Sequence, residues 1–128
     1  MPATMTVLIV DDEHDVQLLF ELHFEDEIEN GEMAFHFALS GDEALNWLNA
    51  QNKTDLALIL SDINMPDMDG LELLGKLKNQ YPEISVMMVT AYGDEATRAK
   101  AHNLGCDDYI TKPIDFSGLK EKILNILN

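Results

Sequence analysis

Residues 6–12 read TVLIVDD, a run of β-branched and aliphatic side chains that ends in two aspartates. A continuous apolar run of this length is typical of a strand that is buried on both faces. In an open parallel sheet, ligands bind beyond the carboxyl ends of the strands. The stretch therefore indicates a parallel sheet that is covered by helices on both faces, with a polar site at one edge.

Outward from this stretch, apolar patches of strand length alternate with segments of helical period. The predicted strands are residues 6–10, 33–38, 56–60, 84–89 and 109–110. Five helices are predicted between and after these strands. The first carries Val16 to Phe24, the second follows the capping residue Ser40, and the third begins at Gly70. The fourth spans 94–104 and the fifth spans 115–127. Five strand–helix units in series predict an α/β fold with a doubly wound five-stranded parallel sheet and helices on both faces.

Charge and composition narrow the functional classes. The chain has 128 residues, the size of one domain, and a formal net charge of −16. Residues 1–52 contain 12 of the 24 acids and no Lys or Arg. Such a surface repels nucleic acid and anionic membranes, so neither is an expected partner.

Cysteine usage and hydropathy bear on the compartment. The single cysteine, Cys106, excludes an internal disulfide and fits a reducing compartment. The apolar runs are too short to span a bilayer, and the first residues lack the features of a signal peptide. We therefore expect a cytoplasmic location.

The residues that follow the predicted strands carry the chemistry. They are Asp11, Asp12, Asp62, Thr90 and Lys112. Each alone is more often a helix cap, a turn residue or a solvated side chain. Together they place three carboxylates at one edge of the sheet, where mutual repulsion costs stability unless a cation neutralises it. A hard divalent ion such as Mg²⁺ suits these oxygens, and Lys112 supplies a charge for an anion. The set indicates a phosphoryl-binding site with Asp62 as a candidate nucleophile.

Four motifs then carry a family resemblance. VLIVDDE (7–13), SDINMPDMDG (61–70), VTAYG (89–93) and DDYITKPI (107–114) resemble the receiver domains of two-component response regulators, in order and at the expected strand ends. The resemblance covers nearly the whole chain. It implies a flavodoxin-like sheet of strand order 2-1-3-4-5, a single receiver domain over residues 1–128, and a role in signalling rather than in metabolic catalysis.

The resemblance also assigns roles at the edge of the sheet. Asp62 would accept a phosphoryl group from a histidine of a sensor kinase or phosphotransfer protein. Asp12, Asp62 and the backbone carbonyl of Asn64 would hold Mg²⁺ or Mn²⁺, with Asp11 helping directly or through water. Lys112 would pair with Asp62 at rest and with the phosphoryl oxygens afterwards.

The switch follows from the same resemblance. Thr90 would move to bind the phosphoryl group, Tyr109 would turn inward with it, and a cis peptide bond would precede Pro113. The output surface would be the predicted fourth helix, fifth strand and fifth helix, and the resemblance allows dimerisation there. The output surface would act on another protein if the chain is a complete protein, or on a fused output domain if it is part of a longer one. The sequence fits both.

Several alternatives stay open beside this interpretation. A Mg²⁺-dependent phosphatase of the haloacid dehalogenase type also uses an aspartate after a strand, but it needs a second Asp where this chain has Asn64. A pseudo-receiver that only binds partners is the other alternative. An EF-hand calcium loop is excluded, because alignment on Gly70 puts Met65 at the first ligand position and Lys76 at the last.

The sequence leaves the structural or functional consequence of two features open. Residues 25–32 (EDEIENGE) make the connection to the second strand longer than is usual in the family, and either a longer first helix or an acidic loop would absorb them. Asn64 and Tyr92 occupy positions that, in the family, tune the lifetime of the phosphorylated form.

Overall fold

The computed structural model describes residues 4–50, 56–91 and 93–127, within which the chain forms five strands and six helices. Tyr92 lies outside these residues. The strands are β1 (Met5–Val10), β2 (Met33–Ala38), β3 (Leu56–Asp62), β4 (Ser85–Thr90) and β5 (Asp108–Thr111). The helices are α1 (Asp15–His23), α2 (Glu25–Glu29), α3 (Gly41–Ala50), α4 (Gly70–Gln80), α5 (Glu95–Asn103) and α6 (Phe116–Leu127).

The strands form one parallel sheet in the order β2-β1-β3-β4-β5, as predicted. β1 lies between β2 and β3, and its residues 7–10 are buried, which explains the unbroken apolar run. All five carboxyl ends point to the same edge because every pairing is parallel. That edge receives the polar residues that follow the strands.

The connection from β1 to β2 contains a short extra helix. α1 ends at His23, and the buried residue Phe24 separates it from α2, which begins at Glu25. The additional residues therefore form neither a longer first helix nor an acidic loop. Four acids and Ile28 then form α2. The predicted fourth and fifth helices are therefore α5 and α6.

Two apolar layers cover the two faces of the sheet. One layer packs α3, α4 and α5 against the sheet, and the other packs α1 and α6. All five phenylalanines of the chain belong to the second layer, where neighbouring ring centroids lie 5.1 to 6.4 Å apart. Lys120 of α6 binds Glu27 at 3.1 Å and lies over the Phe24 ring, so α2 is held against α6.

Side-chain caps begin three of the helices. Ser40 accepts a hydrogen bond from the Glu43 N–H, as its position predicts, and Asp69 and Asp94 cap α4 and α5 in the same way. Gly105 follows α5 with a φ of 96°, the left-handed conformation that a glycine after a helix adopts most easily. These local signals fix the helix boundaries that the sequence indicates.

Charge is distributed unequally between the two ends of the sheet. The elements nearest β2 come from residues 5–50, which contain no Lys or Arg, whereas α4, α5 and α6 carry six of the eight cations. Lys112 and Lys120 reach across to carboxylates of the acidic half. The β2 end is therefore strongly acidic and the β5 end is mixed.

Gly70 is expected to be intolerant of substitution. A Cβ at this position would lie 2.1 Å from the Asp62 carbonyl oxygen and 2.6 Å from Ile63 Cα, both backbone atoms. We expect Gly70→Ala to lower the free energy of unfolding by about 3 kcal/mol through overpacking. The measurement is urea denaturation.

Gly75 in the same helix provides the matched control. A Cβ there would make an ordinary contact with Leu104 Cδ2 at 3.8 Å. Gly75→Ala is expected to stabilise the protein by about 0.5–1 kcal/mol, because alanine is the better helix former. Equal effects of the two substitutions would contradict the steric argument.

Candidate functional site

The carboxyl edge of the sheet brings together the polar residues that follow its strands. Asp11 and Asp12 follow β1, Asp62 ends β3, Thr90 ends β4, and Lys112 follows β5. Carboxylate oxygens of Asp11, Asp12 and Asp62 all lie within 4.8 Å of one another. Residues up to 101 positions apart in sequence thus share one site.

Asp62 is held in a buried position. Its residue surface is 4% exposed, and its Oδ1 accepts a hydrogen bond from the Asn64 N–H at 3.3 Å. Burial, and next the negative charge of Asp11, raise the pKa of the Asp62 carboxyl, against the opposing effects of Lys112 and the Asn64 N–H. The neighbouring carboxylates therefore repel one another, and a bound cation would offset this repulsion.

Lys112 contacts three carboxylates. Its Nζ lies 3.1 Å from Asp11, 3.5 Å from Asp62 and 3.6 Å from Glu13. Burial alone would lower the pKa of Lys112, but the hydrogen bond to Asp11 and the surrounding negative charges outweigh it and raise this pKa. Lys112 therefore stays protonated, and its shortest contact is with Asp11 rather than with Asp62. The expected cis peptide bond between Lys112 and Pro113 is present.

The oxygen donors fit a hard divalent cation. Asp11 Oδ1 accepts the Glu13 N–H at 2.9 Å, which fixes this carboxylate beside Asp62, while Asp12 is half-exposed at the mouth of the site. The cluster consists of three carboxylates, and oxygen ligands of this kind are those that Mg²⁺ and Mn²⁺ favour. Asp11, Asp12 and Asp62 can hold such an ion.

Thr90 and Asn64 are joined through their side chains. Thr90 is fully buried at the end of β4, and its Oγ1 accepts a hydrogen bond from Asn64 Nδ2 at 3.0 Å. Its carbonyl accepts the Lys112 N–H at 2.8 Å. The hydroxyl therefore lies in the wall of the site, next to the loop that carries Asp62.

Tyr109 lies inward in this structure. It packs in the apolar layer with α3, α4 and α5, and the guanidinium of Arg98 lies 5.3 Å from its ring centroid. Burial, and then the charge of Asp94, raise the pKa of the Tyr109 phenol. The predicted switch residue thus lies in β5, three positions before Lys112, with its ring already largely buried.

The sequence interpretation missed two features near the site. Glu13 joins the Lys112 ion pairs, and the third acid of the run DDE directly after β1 was the available signal. On α1, Leu18 and Leu22 are each 66% exposed and Leu19 is also exposed, which the helical spacing of apolar residues alone does not indicate. The inward residues are Val16 and Phe20.

A cavity of about 530 Å³ lies between α1 and the start of α6, directly beside Lys112. Val16, Leu19, Phe20 and Phe116 supply its apolar walls, and Glu13, Lys112 and Asp115 supply its charged groups. Leu19 is the exposed α1 leucine that lines the cavity, and Lys112 links the cavity to the carboxylate site.

Among the described residues, no helix combines the length and apolar character that crossing a bilayer requires.

Comparison with known proteins identifies the family of the chain. The family model for response regulator receiver domains matches residues 7–124 of this chain. The transcriptional regulatory protein SrrA of Staphylococcus aureus is 36% identical over 107 residues, which cover 84% of this chain and 41% of that protein. The chain thus spans less than half the length of the curated relatives it matches.

Solved structures agree in fold. A CheY-like response regulator receiver domain protein from Methanospirillum hungatei superposes with a TM-score of 0.86 at 31% identity, covering 98% of this chain and 94% of that one. The Vibrio cholerae chemotaxis protein CheY4 superposes with a TM-score of 0.84, covering 98% of this chain and 100% of that one. Its 24% identity supports the fold alone.

Proposed function

The chain belongs to the response regulator receiver domain family, and from that premise we propose that Asp62 is its phosphoacceptor. One observation carries the proposal: the buried Asp62 carboxylate lies between two further aspartates and the Lys112 ammonium. Asn64 stands where a haloacid dehalogenase phosphatase needs its second Asp, and no comparison favours that alternative. The complete acceptor set argues against a pseudo-receiver.

Residues around Asp62 would hold Mg²⁺ or Mn²⁺. The ligands we propose are Asp12, Asp62 and the backbone carbonyl of Asn64, with Asp11 coordinating directly or through water. The ion, when bound, neutralises carboxylate charge and lets an anionic phosphoryl group approach.

Phosphoryl transfer needs positioning and charge stabilisation more than covalent help from the protein. An Asp62 oxygen attacks phosphorus, the bond from phosphorus to the donor's imidazole nitrogen breaks, and that nitrogen keeps the electron pair. Lys112 offsets the charge that develops on the phosphoryl oxygens. The product is an aspartyl phosphate, and the protein assists this step without acting as an enzyme on a separate substrate.

The aspartyl phosphate then biases the protein's conformation. The Thr90 hydroxyl moves to bind a phosphoryl oxygen, and this movement favours the inward position of Tyr109, which the ring already occupies here. We expect the surface of α5, β5 and α6 to change with them. This surface would bind a downstream protein, act on a fused output domain or form a dimer.

The family and the net charge indicate the compartment and the partners of the protein. Residues 1–128 would form one receiver domain in the cytoplasm, with a sensor histidine kinase or phosphotransfer protein as phosphodonor. A net charge of −16 disfavours direct binding to nucleic acid or to an anionic membrane.

The acceptor is tested by intact-mass analysis of the wild-type protein after incubation with a small acyl-phosphate donor. With Mg²⁺ we expect one phosphoryl group per chain, located by peptide mapping to the segment that contains Asp62. Incubation with a metal chelator is the control and should leave the protein unlabelled. Labelling elsewhere in the chain would overturn the assignment.

The exposed leucines on α1 are proposed as the docking site for the protein phosphodonor. Leu18 and Leu22 lie one turn apart on the helix that borders the cavity beside Lys112. Acids surround them, so the partner helix is expected to be apolar with basic flanks. The site and the docking surface would thus be adjacent.

Leu18→Ser combined with Leu22→Ser is expected to slow transfer from the protein donor by at least about 100-fold, the scale of losing two buried leucine side chains at about 1.5–3 kcal/mol each. The same variant should react normally with the small acyl phosphate, because the carboxylate site is untouched. Leu124→Ser, at an exposed leucine of α6, is the control. Equal slowing with both donors would contradict docking on α1.

A further inference from the structure

Asn64 contacts the two sides of the site at once. Its side-chain Nδ2 donates to Thr90 Oγ1 at 3.0 Å, and its backbone N–H donates to Asp62 Oδ1 at 3.3 Å. The residue therefore joins the loop after β3 to the end of β4. A displacement of Thr90 Oγ1 or of Asp62 Oδ1 is therefore transmitted to the other oxygen through Asn64.

The backbone of Thr90 has little freedom to follow such a change. Thr90 pairs with Thr111 in the sheet, its carbonyl accepts the Lys112 N–H, and the residue is fully buried. A displacement of its hydroxyl within this backbone is a rotation about χ1 between a few staggered rotamers. The Asn64 amide stabilises the rotamer in which Oγ1 lies next to it.

We propose that the Asn64 side chain is a positioning residue that holds the Thr90 hydroxyl in its resting rotamer until a phosphoryl group on Asp62 competes for that hydroxyl. This inference rests on the proposed function. It differs from metal binding, which would use the backbone carbonyl of Asn64, and from control of phosphate lifetime. It concerns the rotamer population before any phosphate is present.

The expected size of the effect is modest but measurable. One neutral hydrogen bond at a partly exposed site shifts such an equilibrium by about two- to tenfold. Removing the amide should therefore raise the population of the phosphate-binding rotamer in the unphosphorylated protein by that factor.

The test uses the three-bond couplings from the Thr90 backbone nitrogen and carbonyl carbon to Cγ2, which report χ1 directly by NMR. Wild-type protein without donor and wild-type protein held phosphorylated by excess acyl phosphate and Mg²⁺ define the two end points. Asn64→Leu without donor is expected to move toward the phosphorylated end point. Asn79→Leu, at an exposed asparagine of α4, should stay with the wild type.

Two further measurements separate positioning from general damage. Labelling is compared at Mg²⁺ concentrations that saturate each variant, as determined by Mg²⁺ titration, so that a change in metal affinity does not enter the comparison. Acyl-phosphate labelling of Asn64→Leu should be faster by the same two- to tenfold, and on a Thr90→Val background Asn64→Leu should have no further effect on labelling. If Asn64→Leu does not fold, Asn64→Ala carries the same expectations.

The outcomes are distinguishable. A wild-type protein that takes no phosphate overturns the proposed function, and this inference with it. A second outcome overturns the positioning role alone. In that outcome the wild-type couplings change on phosphorylation, but the couplings of unphosphorylated Asn64→Leu stay at the resting value or move away from the phosphorylated value.

Discussion

Asp62→Asn is expected to reduce acyl-phosphate labelling at least about 100-fold, to the level seen without Mg²⁺, because the amide oxygen is a poor nucleophile. The substitution is nearly isosteric, and its amide oxygen can still accept the Asn64 N–H. Intact-mass analysis over a time course measures the loss. The residual labelling reports any other acceptor.

Asp67→Asn is the matched control. Asp67 lies in the same loop, is exposed, and adopts a φ of 67°, a conformation that asparagine tolerates well. It should be labelled like the wild type. Comparable losses in the two variants would mean that the loop, rather than the carboxylate at position 62, governs the reaction.

Asp62→Asn should also alter the dependence of stability on pH. Because burial and Asp11 raise the pKa of Asp62 in the folded state, the folded carboxyl holds its proton more tightly than the unfolded one. Its contribution to stability is then present at low pH and is lost as pH rises from 3.8 through the folded pKa. The metal-free variant should therefore be more stable than wild type at pH 7, with a flatter profile by urea denaturation.

Lys112→Met is expected to give the second large effect, in two opposite directions. Phosphoryl transfer should fall by about 100- to 1000-fold, because the ammonium no longer offsets the charge on the phosphoryl oxygens. Mg²⁺ should bind about tenfold more tightly, because the cation nearest to Asp11 and Asp62 is gone. Labelling kinetics and Mg²⁺ titration by calorimetry measure the two effects.

Lys122→Met serves as the control, since Lys122 pairs with Asp108 at 3.0 Å on the outer side of β5. It should change neither quantity appreciably. A Lys112→Met variant that binds Mg²⁺ more weakly would show that the ammonium organises the carboxylates instead of competing with the ion for them.

The elements that set the sheet were predictable from the sequence because their signals are local. The apolar run that ends at Val10 indicated a central strand, and the residues after each strand indicated which side chains share the edge.

The remaining features depend on tertiary contacts that no local pattern specifies. Phe24 continues the helical period of α1, yet the helix ends before it, and its ring packs among the other phenylalanines. Leu18 and Leu22 have ordinary helical spacing, and only the docking of α1 shows that they face outward. The hydrogen bond between Asn64 and Thr90 joins residues 26 apart, and its existence depends on the loop geometry after β3.

The unequal placement of cations along the sheet gives the molecule a permanent dipole moment directed from the acidic β2 end toward the β5 end. A charged partner therefore exerts a torque before contact and turns the protein as it approaches. The Debye length shrinks from about 30 Å at 0.01 M salt to about 8 Å at 0.15 M, so this pre-orientation fades once salt screens the field over less than a molecular diameter. Productive collisions are then selected by short-range fit alone.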